Sequence, residues 1–251
     1  MLSIEEIKLL IEKLEKLKDG KALDILLEQN LKKLKDFELA VDANNSMQID
    51  RLDKTLDWFR RDLEEKSQKP TIDEGLYRMI QTKIFQFART DMYNSLEIGP
   101  GNGMFSKDFR AWRLNFFLDL MLDHEVTIRK KFPSAHQKHL KFLKTDRTNC
   151  ERIPTNSCNF VFSWDTFVFF TQQHIKEYIR DIRRVLVDGG YCFLQYADCH
   201  FDYDLKQAKR GYWNYNTKTA MEKMIEDAGY EVVEMNTVSY THLTLPTSNG
   251  V

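Results

Sequence analysis

Residues 95–105, Ser-Leu-Glu-Ile-Gly-Pro-Gly-Asn-Gly-Met-Phe, constrain the fold more than any other stretch of the chain. Leu96, Glu97 and Ile98 read as the end of a buried strand. The chain then turns through Gly99, Pro100, Gly101, Asn102 and Gly103 toward a helix. Glycines at alternate positions permit positive φ and let a ligand approach bare backbone. A helix start behind them offers unpaired N–H groups. A strand feeding a glycine turn and a helix is one unit of an alternating α/β fold, although such a turn can also serve packing alone.

The rest of the chain repeats this alternation. Strands are expected near 94–98, 114–118, 140–144, 159–163, 191–196 and 231–236, and helices near 103–110, 122–131, 172–186 and 217–228. The pattern implies an α/β, doubly wound, mostly parallel sheet with right-handed crossovers. Ahead of it, Thr71-Ile72-Asp73-Glu74 forms a capping box. Leu76, Met79, Ile80, Ile84 and Phe87 give the following helix one apolar face. Ser67-Gln68-Lys69-Pro70 reads as a linker, so residues 1–68 are expected to be a separate N-terminal region. That region opens with a second capping box at Ser3-Ile4-Glu5-Glu6. Three apolar stripes follow, beginning at Ile4, Leu23 and Ile49, in an otherwise charged background. This is the pattern of a helical, coiled-coil-like appendage, which either packs on the following domain or pairs two copies as a homodimer.

Charge is nearly balanced, with 37 Lys+Arg against 38 Asp+Glu. This argues against a general grip on nucleic acid, which needs a concentrated basic surface. No run of about 18 apolar residues exists to span a membrane, and the acidic, amphipathic N-terminus is not a secretory signal. Cys150, Cys158, Cys192 and Cys199 form no C-x-x-C pair, so a reducing, cytoplasmic compartment and no bound metal are expected. His136 and His139 are read as part of a solvated loop.

The spacing G-x-G-x-G, with Glu97 two places before the first glycine, differs from the G-x-G-x-x-G of dinucleotide enzymes. It resembles the first motif of the class I S-adenosylmethionine-dependent methyltransferases. The resemblance implies that Glu97 helps hold the methionine end of S-adenosylmethionine, with Gly99, Gly101, Asn102 and Gly103 beneath it. Asp119, twenty residues beyond Gly99, would accept both ribose hydroxyls, with Leu120 and Met121 as an apolar wall against adenine. Asp146 falls where the family contacts the adenine amino group. Arg147 departs from the small apolar residue usual next to it and could contribute only its backbone N–H. The fourth strand ends in Phe162-Ser163-Trp164-Asp165, where Ser163 and Trp164 would line the cofactor crevice. The approach Ile153–Phe160 resembles "LPFPDNSFD", with Asn159 for aspartate. The turn Val185–Gly190 resembles "VLKPGG", with Asp188 for proline. These ordered motifs run from about 72 to 236 and define a methyltransferase domain over 71–237. Ser-Trp-Asp-Thr stands where enzymes acting on amide or exocyclic amino nitrogens commonly carry N-P-P-Y or D-P-P-Y.

Methyl transfer is an in-line displacement that depends on alignment and exclusion of water. A hydroxyl acceptor gains from a general base within reach of its proton. Asp165 and His200, just after the fourth and fifth strands, are the candidates for that base. Residues 198–216 exceed what a connection needs and are expected to form a lid or acceptor wall, with Tyr212 and Trp213 contacting the substrate. The expected activity is S-adenosylmethionine-dependent methylation of a small-molecule hydroxyl, on a sugar or related metabolite. The competing readings are a nucleotide- or NAD-binding enzyme on a similar sheet and a non-catalytic methyltransferase-like partner subunit.

Residues 238–247, VSYTHLTLPT, resemble the translation of a transposon-end adapter used in shotgun sequencing libraries. Residues 238–251 are therefore expected to be a non-native tail, with the natural reading frame cut near Thr237 as in a metagenomic fragment. The second arm of the sheet's terminal hairpin would then be missing from the natural sequence.

Overall fold

The computed structural model describes residues 72–87, 93–145, 149–237 and 241–246. The N-terminal region 1–68, with its proposed dimer contact, lies outside the described residues, as do Asp146 and Arg147. The described chain builds a seven-stranded sheet in the order β3-β2-β1-β4-β5-β7-β6. The strands are β1 (Asn94–Ile98), β2 (Leu114–Asp119), β3 (Leu140–Lys144), β4 (Cys158–Ser163), β5 (Leu186–Tyr196), β6 (Glu234–Thr237) and β7 (Thr241–Pro246). β1 through β5 pair in parallel, and β7 runs antiparallel to both β5 and β6. The doubly wound, mostly parallel sheet read from the sequence is therefore the fold. Strand order reverses between β1 and β4. In open α/β sheets ligands bind outside the carboxyl ends of the strands at such a switch point.

Two apolar layers hold the helices to the sheet. On one face, α3 (Gln172–Val185) buries Ile175, Tyr178, Ile179, Ile182 and Val185, a spacing that keeps them on one side of a helix. These residues join Leu96, Ile98, Val161 and Leu194 from the strands, and Met221, Met224 and Ile225 from α5 (Lys218–Asp227). Each helix starts with a threonine cap. Thr171 accepts from His174 N–H and Thr217 from Ala220 N–H, both at 3.2 Å. On the other face, α1 (Glu74–Phe87) buries Ile80, Ile84 and Phe87 against an aromatic layer of Phe105, Phe109, Trp112, Phe160, Phe162 and Phe193.

Several elements differ from the expected ones. The helix expected at 103–110 is a turn followed by a 3₁₀ helix, Ser106–Ala111. Its start is set by Gly103 at φ +76°, outside the helical region. The Phe109 carbonyl is taken by the side-chain amide of Asn115 at 2.6 Å. The helix expected at 122–131 shortens to α2 (Glu125–Arg129), where one residue, Ile128, is buried. β5 begins earlier than expected. Leu186 pairs with Cys158, and a register shift precedes the pairing of Tyr191 with Phe160. The solvated loop expected around His136 is instead a second 3₁₀ segment, Ser134–His139. His136 meets Asn115 Oδ1 at 2.8 Å and stacks on Phe132. Within 198–216 the chain forms a helix, α4 (Asp202–Lys209), that no apolar stripe announces. The antiparallel arm expected to be missing from the natural sequence is occupied here by tail residues Thr241–Pro246.

Candidate active site

The glycine turn after β1 is built from left-handed backbone, with Gly99, Gly101 and Gly103 at φ +67°, +52° and +76°. Two of these glycines are also required by contact. A Cβ on Gly99 would lie 2.0 Å from Thr166 Oγ1, and one on Gly103 would lie 2.8 Å from Ile128 Cγ1. Gly101 differs, because a Cβ there would meet nothing within 4 Å. No described residue fills the space above Gly101, so its backbone faces an open cradle. Asn102 beside it is half-buried.

Two carboxyl groups flank this cradle. Glu97 is buried, and its Oε2 accepts from Ser106 Oγ at 2.6 Å. Burial pushes its carboxyl up to about 8, opposed by the Ser106 hydrogen bond and the Lys131 charge. Lys131 Nζ itself donates to the Gly103 carbonyl at 2.9 Å. Asp119, at the end of β2, is raised to about 6 by desolvation. The backbone N–H groups of Met121, Leu120 and Gly101 partly offset that rise. The Met121 contact is 3.2 Å. Asp119 and Gly101 are therefore neighbours across the turn, and Leu120 and Met121 are half-buried beside them.

At the end of β4, Ser163 is fully buried and donates to the Ile98 carbonyl at 2.8 Å, tying β4 to β1. The ring of Trp164 lies 5.8 Å from Phe105 and 6.5 Å from Phe193. Asp165 is exposed at φ +54°, and its N–H donates to Gln195 Oε1 at 2.8 Å. Thr166 then reaches back to the glycine turn, with Oγ1 3.3 Å from the Gly99 carbonyl.

Beyond β5, Asp198 is buried while His200 is exposed. His200 Nδ1 lies 3.0 Å from Asp198 Oδ1, which also accepts the His200 N–H at 3.1 Å and the Lys218 N–H at 3.3 Å. A carboxylate oxygen accepts, so the contact assigns a proton to His200 Nδ1. Asp204 of α4 accepts the Asp198 N–H at 2.7 Å and ties that helix to the strand end. Burial raises its carboxyl to about 6. Tyr212 is exposed. Trp213 is buried, packs with Val168 and Ala197 and meets Tyr203 edge-on at 5.7 Å.

The carboxyl ends of the strands thus carry Glu97, the glycine turn, Asp119, Asp165 and His200 on one edge of the sheet. Sequence reasoning passed over Ser106, Thr166, Gln195 and Asp198. The one signal available was the D-x-H spacing of Asp198 and His200, which suits a local carboxylate–imidazole pair. The open cradle at Gly101 and the acidic groups beside it fit a ligand with a ribose diol and an ammonium group. Among the described residues no cluster suits a metal ion, and no helix is long and apolar enough to cross a membrane.

Comparison with known proteins identifies the family. Residues 30–235 match the family described as a methyltransferase domain. No curated protein matches in sequence. Among solved structures, the chain is similar to magnesium protoporphyrin IX methyltransferase from Synechocystis PCC 6803 with bound S-adenosylhomocysteine. The TM-score is 0.60 and the identity 12%, over 81% of this chain and 100% of that one. It is also similar to the N-methyltransferase NodS from Bradyrhizobium japonicum WM9 in complex with S-adenosyl-L-homocysteine. There the TM-score is 0.57 and the identity 13%, over 76% and 99% of the two chains. An S-adenosylmethionine-dependent methyltransferase from Mesorhizobium loti gives a TM-score of 0.55 at 10% identity, over 67% and 96%. At these identities the likeness speaks for the fold. The matched family spans most of the chain, and the chain belongs to it as a class I S-adenosylmethionine-dependent methyltransferase.

Proposed function

We propose that the enzyme methylates a hydroxyl group of a small-molecule acceptor, with His200 as general base and Asp198 holding it. The observation that carries this reading is the His200–Asp198 contact of 3.0 Å at the edge of the sheet that bears the glycine turn. A buried carboxylate bonded to Nδ1 fixes the tautomer whose Nε2 can take a proton, which a hydroxyl nucleophile needs and a neutral amine needs less. Asp165, exposed beside Trp164, is the second group able to accept that proton or to orient the acceptor.

For the cofactor, Glu97 is suited to the methionine ammonium, Asp119 to the ribose hydroxyls and the bare backbone of Gly99–Gly103 to close approach. Asn102, Leu120 and Trp164 line the same crevice. Ser163 spends its hydroxyl on Ile98, so its contribution would be steric. Asp146 and Arg147 keep the adenine-side role that the family motif gives them. Bound S-adenosylmethionine supplies a methyl group on a sulfonium sulfur, already electrophilic. The chain's own residues then have to align an acceptor oxygen, exclude water and receive one proton at His200 Nε2. Tyr212, exposed on the lid, is suited to contact the acceptor directly. Trp213, buried behind it, is suited to shape the lid.

The test measures S-adenosylhomocysteine release with hydroxylic and amine probes. Wild type should turn over hydroxyl compounds, and His200→Gln should lower kcat about a hundredfold while leaving S-adenosylmethionine affinity unchanged. Turnover confined to amines, or full activity in His200→Gln, overturns the hydroxyl reading.

A further inference from the structure

Gln195 is fully buried near the carboxyl end of β5. It lies one residue past Leu194, the partner of the last residue of β4, Ser163. Side chains alternate along a strand, so Gln195 shares the face of Phe193, which packs with Phe105 and Phe162. Phe105 leads directly into Ser106, the hydroxyl that meets Glu97. Trp164 spans the interval between Phe105 and Phe193. Gln195 thus stands at the active edge, on the face that carries Glu97.

Its orientation is fixed by chemistry. The Asp165 N–H donates to Oε1 at 2.8 Å, and a backbone donor can meet only the carbonyl side of a carboxamide. Nε2 is then left with its N–H donors, and it has no partner among the described residues. Buried polar groups are nearly always hydrogen-bonded, so an unpaired one calls for an explanation. The residue that holds Gln195 is itself unusual. Asp165 sits at φ +54°, uncommon for a side-chain-bearing residue and found where the surroundings over-determine the backbone. The result is a buried, oriented donor beside the Asp165 backbone at the end of β4.

We infer that Gln195 Nε2 recognises a second oxygen on the acceptor, a hydroxyl, ether or carbonyl oxygen close to the hydroxyl that is methylated. The inference rests on the hydroxyl reading above and narrows its substrate class to polyoxygenated compounds, aromatic diols or sugars, rather than simple alcohols. A carboxamide N–H donates and cannot accept, so a protonated amine at that position would find no partner there.

The test compares paired probes, catechol against phenol and methyl glucoside against cyclohexanol. Wild type should favour the two-oxygen member of each pair. Gln195→Leu removes the donor together with the Asp165 contact, and Gln195→Glu, assayed at a pH high enough to ionise it, keeps an oxygen for the Asp165 N–H while removing the donor. Both variants should lower kcat/KM for catechol and methyl glucoside about tenfold to a hundredfold, the cost of one lost hydrogen bond to a buried group. The losses for phenol and cyclohexanol should be smaller, so that the preference within each pair collapses, and S-adenosylmethionine affinity should hold. An unchanged probe preference in either variant overturns the inference. Loss of S-adenosylmethionine affinity in both variants would make Gln195 a structural brace and overturn it as well. If no hydroxylic probe is turned over by wild type, the hydroxyl reading falls and this inference falls with it, whereas failure in the variants alone leaves that reading standing.

Discussion

At the scale of single residues, the two carboxyl groups beside the cradle make opposite demands on the folded and the liganded protein. Glu97 is raised from 4.5 to about 8 by burial. Between those values the unfolded chain has released the proton that the folded chain still holds, so rising pH lowers stability across that window. Glu97→Gln should therefore raise the Tm of the ligand-free protein at pH 8 relative to wild type, and it should also weaken S-adenosylmethionine binding. A lower Tm at that pH would contradict the assigned burial cost. If Glu97 faces an ammonium group in the complex, it must ionise on binding. Calorimetry at pH 7 in buffers of different ionisation enthalpy should then show proton release, and Glu97→Gln should lose it. For Asp119, raised to about 6, affinity should fall as pH drops through that value. Asp119→Ala should cost about 1.5–3 kcal/mol of binding, the worth of hydrogen bonds to a charged group. Unchanged calorimetric affinity would remove Asp119 from the site. Gly101→Val should abolish binding with little change in circular dichroism, since the branched side chain would enter space that no described residue fills.

At the scale of elements, Thr171 and Thr217 each satisfy a helix N-terminus, and the helices they cap pack into one apolar core. Thr171→Ala should cost about 0.5–2 kcal/mol in urea unfolding without altering S-adenosylmethionine affinity, because α3 lies on the face away from Glu97. These two helices were readable almost to the residue, 172–186 against Gln172–Val185 and 217–228 against Lys218–Asp227. Caps and apolar periodicity agree in both. The strands were readable for the related reason that Val, Phe, Leu and Ile cluster in short runs between turns. α4 was not readable, since the residues it buries are Asp204 and Ala208, which make no stripe. The helix expected after the glycine turn was misread because periodicity cannot reveal that Asn115, from the next strand, captures a carbonyl of that segment. Within the site, residues defined by local spacing, such as Glu97 and the glycines, could be found from the sequence. Residues whose part depends on a neighbouring strand could not. Gln195 becomes notable only because β4 ends beside it.

At the scale of the whole molecule, the matched family covers residues 30–235 and so begins inside the N-terminal region. A chain beginning near Pro70 should keep its S-adenosylmethionine affinity, while its sedimentation behaviour reports whether the removed residues set the oligomeric state. Loss of binding would mean that those residues complete the pocket. The tail has its own test. If residues 238–251 derive from an adapter, reads crossing codon 237 of the source locus should diverge from VSYTHLTLPT into another strand-like segment. Independent reads carrying the same tail would make it the genuine final strand. The strand order gives this segment a weight beyond its length. β7 lies between β5 and β6, so the strand made earlier of the two has no seat in the sheet until the later one arrives. Until β7 is seated, β6 is held to the body by the Lys83–Glu234 ion pair and the preceding α5, so that edge closes from β7 outward.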